Sequence, residues 1–230
     1  MFRYFDPMYY IYMAPVLLLM LAAKLLVSSR FAKYSKLRNM RGMTGRQAAE
    51  SVLRENGVYG VSVGRVNGKL SDHYDPKSKV IRLSDGVYDT ASVAAVGIAA
   101  HEAGHAVQHA GGYAPLKIRN AIIPVCNIGS SLSIPIIIAG AVLNFPVLIY
   151  AGLLLFSLLL IFQLITLPVE FNASARALRC IDEAGLLGED EQKGAKKVLT
   201  AAALTYVAAM LQSLVLLLYY FARFSGSRRR

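Results

Sequence analysis

Val93-Ala94-Ala95-Val96-Gly97-Ile98-Ala99-Ala100-His101-Glu102-Ala103-Gly104-His105-Ala106-Val107-Gln108-His109-Ala110 begins with eight apolar or small residues and then abruptly displays histidine and glutamate. Thr90 or Ser92 can cap it as a helix, because a hydroxyl at that position accepts a hydrogen bond from a first-turn amide. Gly111-Gly112 stops it. A helix that is apolar on all sides is normally buried. Buried turns that end in ionisable groups place those groups inside a folded body.

His101 and His105 are separated by four residues. On a helix that spacing puts them about 40° apart on one face, one turn above the other. Both imidazoles can then reach one tetrahedral Zn²⁺ at about 2.0–2.1 Å. Glu102 lies beside the pair, where its carboxylate can hold an attacking water and take its proton. Zinc lowers the pKa of a water it binds toward about 7, so that transfer is feasible at neutral pH. His-Glu-x-x-His also arises by chance, but its position on an independently expected helix favours the metal. Such a site needs a third protein ligand and one open position. His109 cannot be that ligand on an intact helix, since it lies about 12 Å along the axis from His101. It suits a supporting or surface position.

Working outward, the chain has 230 residues, of which 55% are hydrophobic. The apolar residues form long blocks, at about 8–27, 122–143, 145–167 and 198–220, each long enough to cross a hydrocarbon core of roughly 30 Å. Asn144-Phe145-Pro146 is a tight joint, so the middle two blocks make a hairpin, and the glycines and serines of 129–140 suit close helix packing. The first block is followed by Ser28-Ser29-Arg30 rather than a small-residue cleavage site, which favours a retained anchor over a signal peptide.

The net charge is +11, with Arg and Lys clustered beside the apolar blocks. That pattern suits anionic lipid and orientation in a bilayer; no nucleic-acid motif is present. The segments 28–121 and 168–197 are basic and the hairpin tip is not, which places both in the cytosol of a multi-pass cell-membrane protein. Arg228-Arg229-Arg230 runs against this, since four spans would put it outside together with the N-terminus near Arg3. Cys126 and Cys180 are too few and too distant for a disulfide framework and are expected reduced.

Between the first two blocks, Thr44-Gly45-Arg46-Gln47 is a capping box opening a helix to about Glu55, with Gly57 as its stop. Val58–Val66, Lys69–Tyr74 and Lys79–Leu83 are expected strands. Asn67-Gly68 predicts a hairpin between the first two, and Asp75-Pro76-Lys77-Ser78 a turn before the third. The expectation is a small antiparallel sheet, with the edge of Lys79–Leu83 free to add an extended peptide. His73 and Tyr74 could face a cleft and donate to a carbonyl oxygen, although His73 also fits an ordinary turn histidine.

Glu170 follows Thr166-Leu167-Pro168-Val169 at the exit of a span. A carboxylate there is costly and defaults to a functional role. Two spans separate it from His105, which returns the chain to the same side. Glu170 is therefore the expected third metal ligand, an unliganded helix-start acid being the bland alternative. Arg176 could stabilise charge nearby or simply face solvent.

Ser71-Asp72-His73-Tyr74-Asp75-Pro76, Ala100 to His109, Thr166 to Ser174 and Ala201 to Ala209 together resemble the YugP-like family of neutral zinc metallopeptidases, over nearly the whole chain. The resemblance implies an enzyme that hydrolyses peptide bonds with zinc, and no particular substrate. More distantly, the layout is similar to the membrane gluzincins HtpX and the CAAX prenyl protease. In those, a Glu-x-x-x-Asp helix supplies the third ligand and a carboxylate that orients a ligating histidine. Glu170 matches the ligand, while Ser174 stands where that Asp would be, with one hydrogen bond to offer and no charge.

These readings converge on an α-helical membrane protein of about four transmembrane helices with a small α+β zincin-like catalytic domain. Residues 1–27 are the anchor, 28–121 the catalytic domain, 122–167 the hairpin, 168–197 the segment with the third ligand, and 198–230 a last span with a basic tail. The expected substrate is a peptide or membrane protein; nothing in the sequence sets an oligomeric state. The rival reading is a non-catalytic zinc-binding membrane scaffold. A closed structural site would want four protein ligands, often with cysteine, and neither cysteine is placed to serve.

Overall fold

The computed structural model describes residues 7–225, so Arg3 and Arg228-Arg229-Arg230 lie outside the described residues. The chain is mostly helical with one three-stranded sheet. In order, the elements are α1 (Pro7–Tyr34), α2 (Gly45–Glu55), β1 (Ser62–Val66), β2 (His73–Asp75), β3 (Val80–Ser84), α3 (Asp85–Tyr88), α4 (Val93–Ala110), α5 (Ala114–Val142), α6 (Pro146–Glu183) and α7 (Glu189–Ser225). Its contacts define two compact units. The first takes the described residues within Met1–Ala23, Ile118–Leu167 and Thr205–Arg230; the second takes Lys24–Lys117 and Pro168–Leu204.

Four helices are candidate membrane spans by length and composition: α1, α5, α6 and α7. Large apolar side chains point outward along them, with Leu18, Ile128 and Leu154 at 65%, 63% and 71% exposure. In water that surface would be an aggregation hazard; in lipid it faces its proper solvent. Within the first unit, Gly140 and Gly152 let α5 and α6 close on each other. A Cβ at Gly140 would lie 2.8 Å from the Ile149 amide, and one at Gly152 would lie 2.9 Å from the Ser133 carbonyl. The joint between these helices carries Asn144 at φ +50°, which asparagine tolerates better than most residues.

Two helices are longer than the apolar blocks within them. α6 runs unbroken through Pro168, so the expected separate stretch Phe171–Cys180 is its continuation. α7 starts at Glu189, well before Val198.

The second unit is built around α4. Val93, Ala94, Ala95, Val96, Ala99, Ala100 and Ala103 are fully buried, as a helix apolar on all sides should be. Its small side chains let neighbours approach: a Cβ at Gly97 would lie 3.2 Å from the Ala195 Cβ of α7. Ser92 caps α4 by accepting from the Ala95 amide, and Gly111 ends it with Gly112 at φ +65°. α2 packs against α4 through Ala48, Ala49, Val52 and Leu53, and begins with the expected Thr44–Gln47 capping box. Both cysteines are free and buried.

The sheet differs from the antiparallel meander expected. Its order is β1-β3-β2, with β1 parallel to β3 and β2 antiparallel to it. Asn67-Gly68 therefore makes no hairpin. A two-residue type I′ turn needs positive φ at both central residues. Here Gly68 sits at φ +112° while Asn67 stays negative, and Leu70 takes φ +54°. The chain closes a wider loop, with the Ser71 hydroxyl donating to the Asn67 carbonyl at 3.0 Å. Asp72 then accepts from the Ser84 amide at 2.7 Å and pins the loop to the end of β3. β3 takes the centre because Ile81 and Leu83, its alternating apolar pair, are both fully buried. Its edges are consequently occupied by β1 and β2, so the free edge nearest α4 belongs to β2 and not, as expected, to Lys79–Leu83. The Asp75 turn is as expected, its carboxylate accepting from the Lys77 amide, the Ser78 hydroxyl and Arg82. Those bonds hold the Asp75 carboxyl well below the usual range.

Candidate metal centre

All the chemistry-bearing side chains lie in the second unit, on α4 and on the part of α6 that begins at Pro168. His101 and His105 project from α4 with ring centroids 4.7 Å apart and planes at 82°. Glu170 of α6 reaches between them. Its Oε2 lies 3.3 Å from His101 Nε2 and 3.6 Å from His105 Nε2. The side chains are 15%, 12% and 4% exposed respectively, so solvent reaches the group by a narrow path.

These distances decide what the cluster suits. Three donors, His101, His105 and Glu170, fall within 4.8 Å of one another and could hold a metal ion. With metal–ligand bonds of about 2.0–2.1 Å, neighbouring ligands of a tetrahedral zinc are about 3.3–3.4 Å apart. The carboxylate-to-imidazole separations match that edge, and two nitrogens with one carboxylate oxygen are a zinc-compatible donor set. Burial pushes the His105 pKa down. The Glu170 hydrogen bond and the charges of Glu102 and Glu170 more than offset this and hold it above the ordinary histidine value. An anionic centre of this kind favours a cation. Glu102 is 9% exposed, adjacent to His101, and close enough for its charge to act on His105.

Each imidazole is held from behind. The Ser174 hydroxyl lies 3.1 Å from His101 Nδ1. His105 Nδ1 lies 3.0 Å from Gln108 Oε1. Gln108 is fully buried, and its amide nitrogen donates to the Val169 carbonyl at 2.8 Å and to Asn172 Oδ1 at 3.0 Å. Arg176, expected either at the site or in solvent, donates to the same Asn172 oxygen at 2.8 Å. Gln108 and Asn172 were not among the candidates read from sequence. The available signal was Gln108's place three residues after His105, a polar side chain beside the apolar Ala106-Val107.

The remaining candidates fall in two places. His109 stands one turn beyond His105, and its Nδ1 lies 2.8 Å from the Tyr74 hydroxyl of β2. Burial, with the Asp75 charge adding to it, raises the Tyr74 pKa, so the phenol stays protonated at neutral pH. His73 is exposed, with its Nδ1 2.8 Å from the Ser71 carbonyl.

Four candidate spans and a two-histidine, one-glutamate cluster able to take a metal define a membrane metalloprotein. The family model described as "Putative neutral zinc metallopeptidase" matches residues 9–225, and the chain belongs to that family. It is also 45% identical over 206 residues to the "Putative membrane protease YugP" of Bacillus subtilis (strain 168), an alignment covering 90% of this chain and 92% of that one. No solved structure matches the chain.

Proposed function

We propose that this protein is a zinc-dependent endopeptidase of gluzincin type, with a zincin-like catalytic domain at 28–121 completed by 168–197. The observation that carries the reading is Glu170 Oε2 at 3.3 Å and 3.6 Å from the two Nε2 atoms, the separation a shared tetrahedral ion requires. His101, His105 and Glu170 would hold the zinc, leaving a fourth position for solvent or substrate.

When bound, the ion supplies Lewis acidity that polarises the scissile carbonyl and acidifies the attacking water. The residues of the chain do the rest. Glu102 takes the water's proton and returns it to the leaving amine. The free edge of β2 pairs an extended peptide by strand addition, which carries the carbonyl past the Tyr74 hydroxyl. That phenol donates to the oxygen as charge develops on it. Burial on α4 and α6 excludes bulk water and strengthens each of these contacts. By the distribution of Lys and Arg, the site works on the cytosolic side, with peptides or membrane proteins as substrate.

The test is Glu102→Gln, assayed in detergent or proteoliposomes against a quenched peptide library. The variant should retain the parent's zinc content and lose cleavage by about 10²-fold or more. Cleavage at the parent rate would overturn the role given to Glu102.

A further inference from the structure

The direction of every hydrogen bond behind His105 can be deduced from one backbone carbonyl. The Val169 carbonyl can only accept, and it lies 2.8 Å from one end of the Gln108 amide, so that end is the NH₂ group. Its second hydrogen goes to Asn172 Oδ1. Arg176 Nε can only donate and bonds the same atom, which fixes that atom as oxygen. The other end of Gln108 is therefore its carbonyl oxygen, and it faces His105 Nδ1 at 3.0 Å. An acceptor there demands a hydrogen on Nδ1. The lone pair of the neutral ring is then left on Nε2, the atom facing Glu170.

His101 is held differently. The Ser174 hydroxyl can donate or accept, so it accommodates either tautomer and enforces neither.

We infer that Gln108 is a positioning residue that locks His105 in the metal-binding tautomer and ties its ring to α6, with the Asn172–Arg176 pair as its anchor. The inference rests on the proposed metal site. Its physical content is that one neutral, fully buried amide sets both the proton position on a ligand from α4 and that ligand's register against the helix bearing Glu170. Partners of this kind commonly change metal affinity by about 10–100-fold.

The experiment uses the full-length protein, stripped of metal in detergent, and reads zinc affinity by chelator competition and the visible spectrum of the cobalt-substituted form. The parent should bind zinc and His105→Ala should not. Gln108→Leu should bind about 10–100-fold more weakly, with a shifted cobalt spectrum. Gln108→Glu should recover affinity to within about tenfold of the parent, because a carboxyl group offers His105 an acceptor oxygen in either protonation state. If the parent fails to bind, or His105→Ala binds as well, the metal reading falls and this inference with it. If His105→Ala loses zinc while Gln108→Leu matches the parent in affinity and spectrum, the positioning role alone is overturned. A measurement on the unaltered chain guards against a variant that does not fold. Nitrogen chemical shifts of ¹⁵N-histidine in the metal-free protein, above the His105 pKa, should show the hydrogen on Nδ1. A hydrogen on Nε2 would overturn the inference.

Discussion

Gly104 of α4 backs onto the carbonyl of Ala173 on α6 so closely that a Cβ at Gly104 would lie 2.7 Å from that oxygen. Gly104 stands between the two histidines in sequence, and Ala173 between Glu170 and Ser174. This contact sets the helix separation at which one carboxylate can reach both imidazoles. In an ordinary exposed helix Gly→Ala would gain about 1 kcal/mol. Here the new methyl meets backbone that cannot rotate away, and overpacking of that kind costs about 1–3 kcal/mol. Gly104→Ala should therefore lower the melting temperature and the bound zinc together. A variant as stable as the parent with full zinc content would show that helix separation does not control the site.

Glu170 supplies the charge on α6 that the two imidazoles face. Glu170→Gln preserves its size and removes that charge, so packing around Val169 and Ala173 should survive. Elemental analysis after purification at limiting zinc should find the metal reduced to well below one ion per chain, and peptide cleavage lost in proportion. A stoichiometric, tightly held zinc in this variant would mean that another group completes the centre.

The sequence announces α4 in several independent ways: the Ser92 cap, the Gly111-Gly112 stop, the all-round apolar turns and the four-residue histidine spacing. Glu170 is legible because a carboxylate next to an apolar span stands out. Gln108 is not, since its partners are a backbone carbonyl and Asn172 on a helix distant in sequence, and no local pattern encodes those. The sheet misleads for a related reason. Asn67-Gly68 carries the strongest local turn preference, yet the fully buried Ile81 and Leu83 claim the central strand position, and Asp72 bonding to Ser84 holds the loop that results. Pro168 shows the same priority: it predicts a boundary, but α6 continues through it.

Ser174 offers a test of how much a charged partner adds. The distant gluzincins place a carboxylate where this chain has a hydroxyl 3.1 Å from His101 Nδ1. Ser174→Asp would replace a neutral contact by a charge-assisted one, which is about twice as strong, and would fix the His101 tautomer that the hydroxyl leaves open. Chelator competition should show zinc bound several-fold more tightly than in the parent. Equal or weaker binding would mean that desolvating the added carboxylate outweighs its hydrogen bond.

Tyr74 separates binding from catalysis. Its hydroxyl bonds His109 one turn past His105 and sits on the strand whose edge is free for a substrate. Tyr74→Phe deletes the hydroxyl and leaves the ring against His109. If the phenol donates to the carbonyl oxygen in the transition state, kcat should fall by about 10²-fold, with KM and zinc content unchanged. The pH profile provides a second check. Because burial raises the Tyr74 pKa above its usual value of 10, the donor persists in its protonated form across the neutral and mildly alkaline range. Loss of its proton should therefore contribute an alkaline fall in kcat only above pH 10, and Tyr74→Phe should abolish that limb. A phenylalanine variant with the parent's kcat and the same alkaline limb would reassign Tyr74 to holding His109 in place.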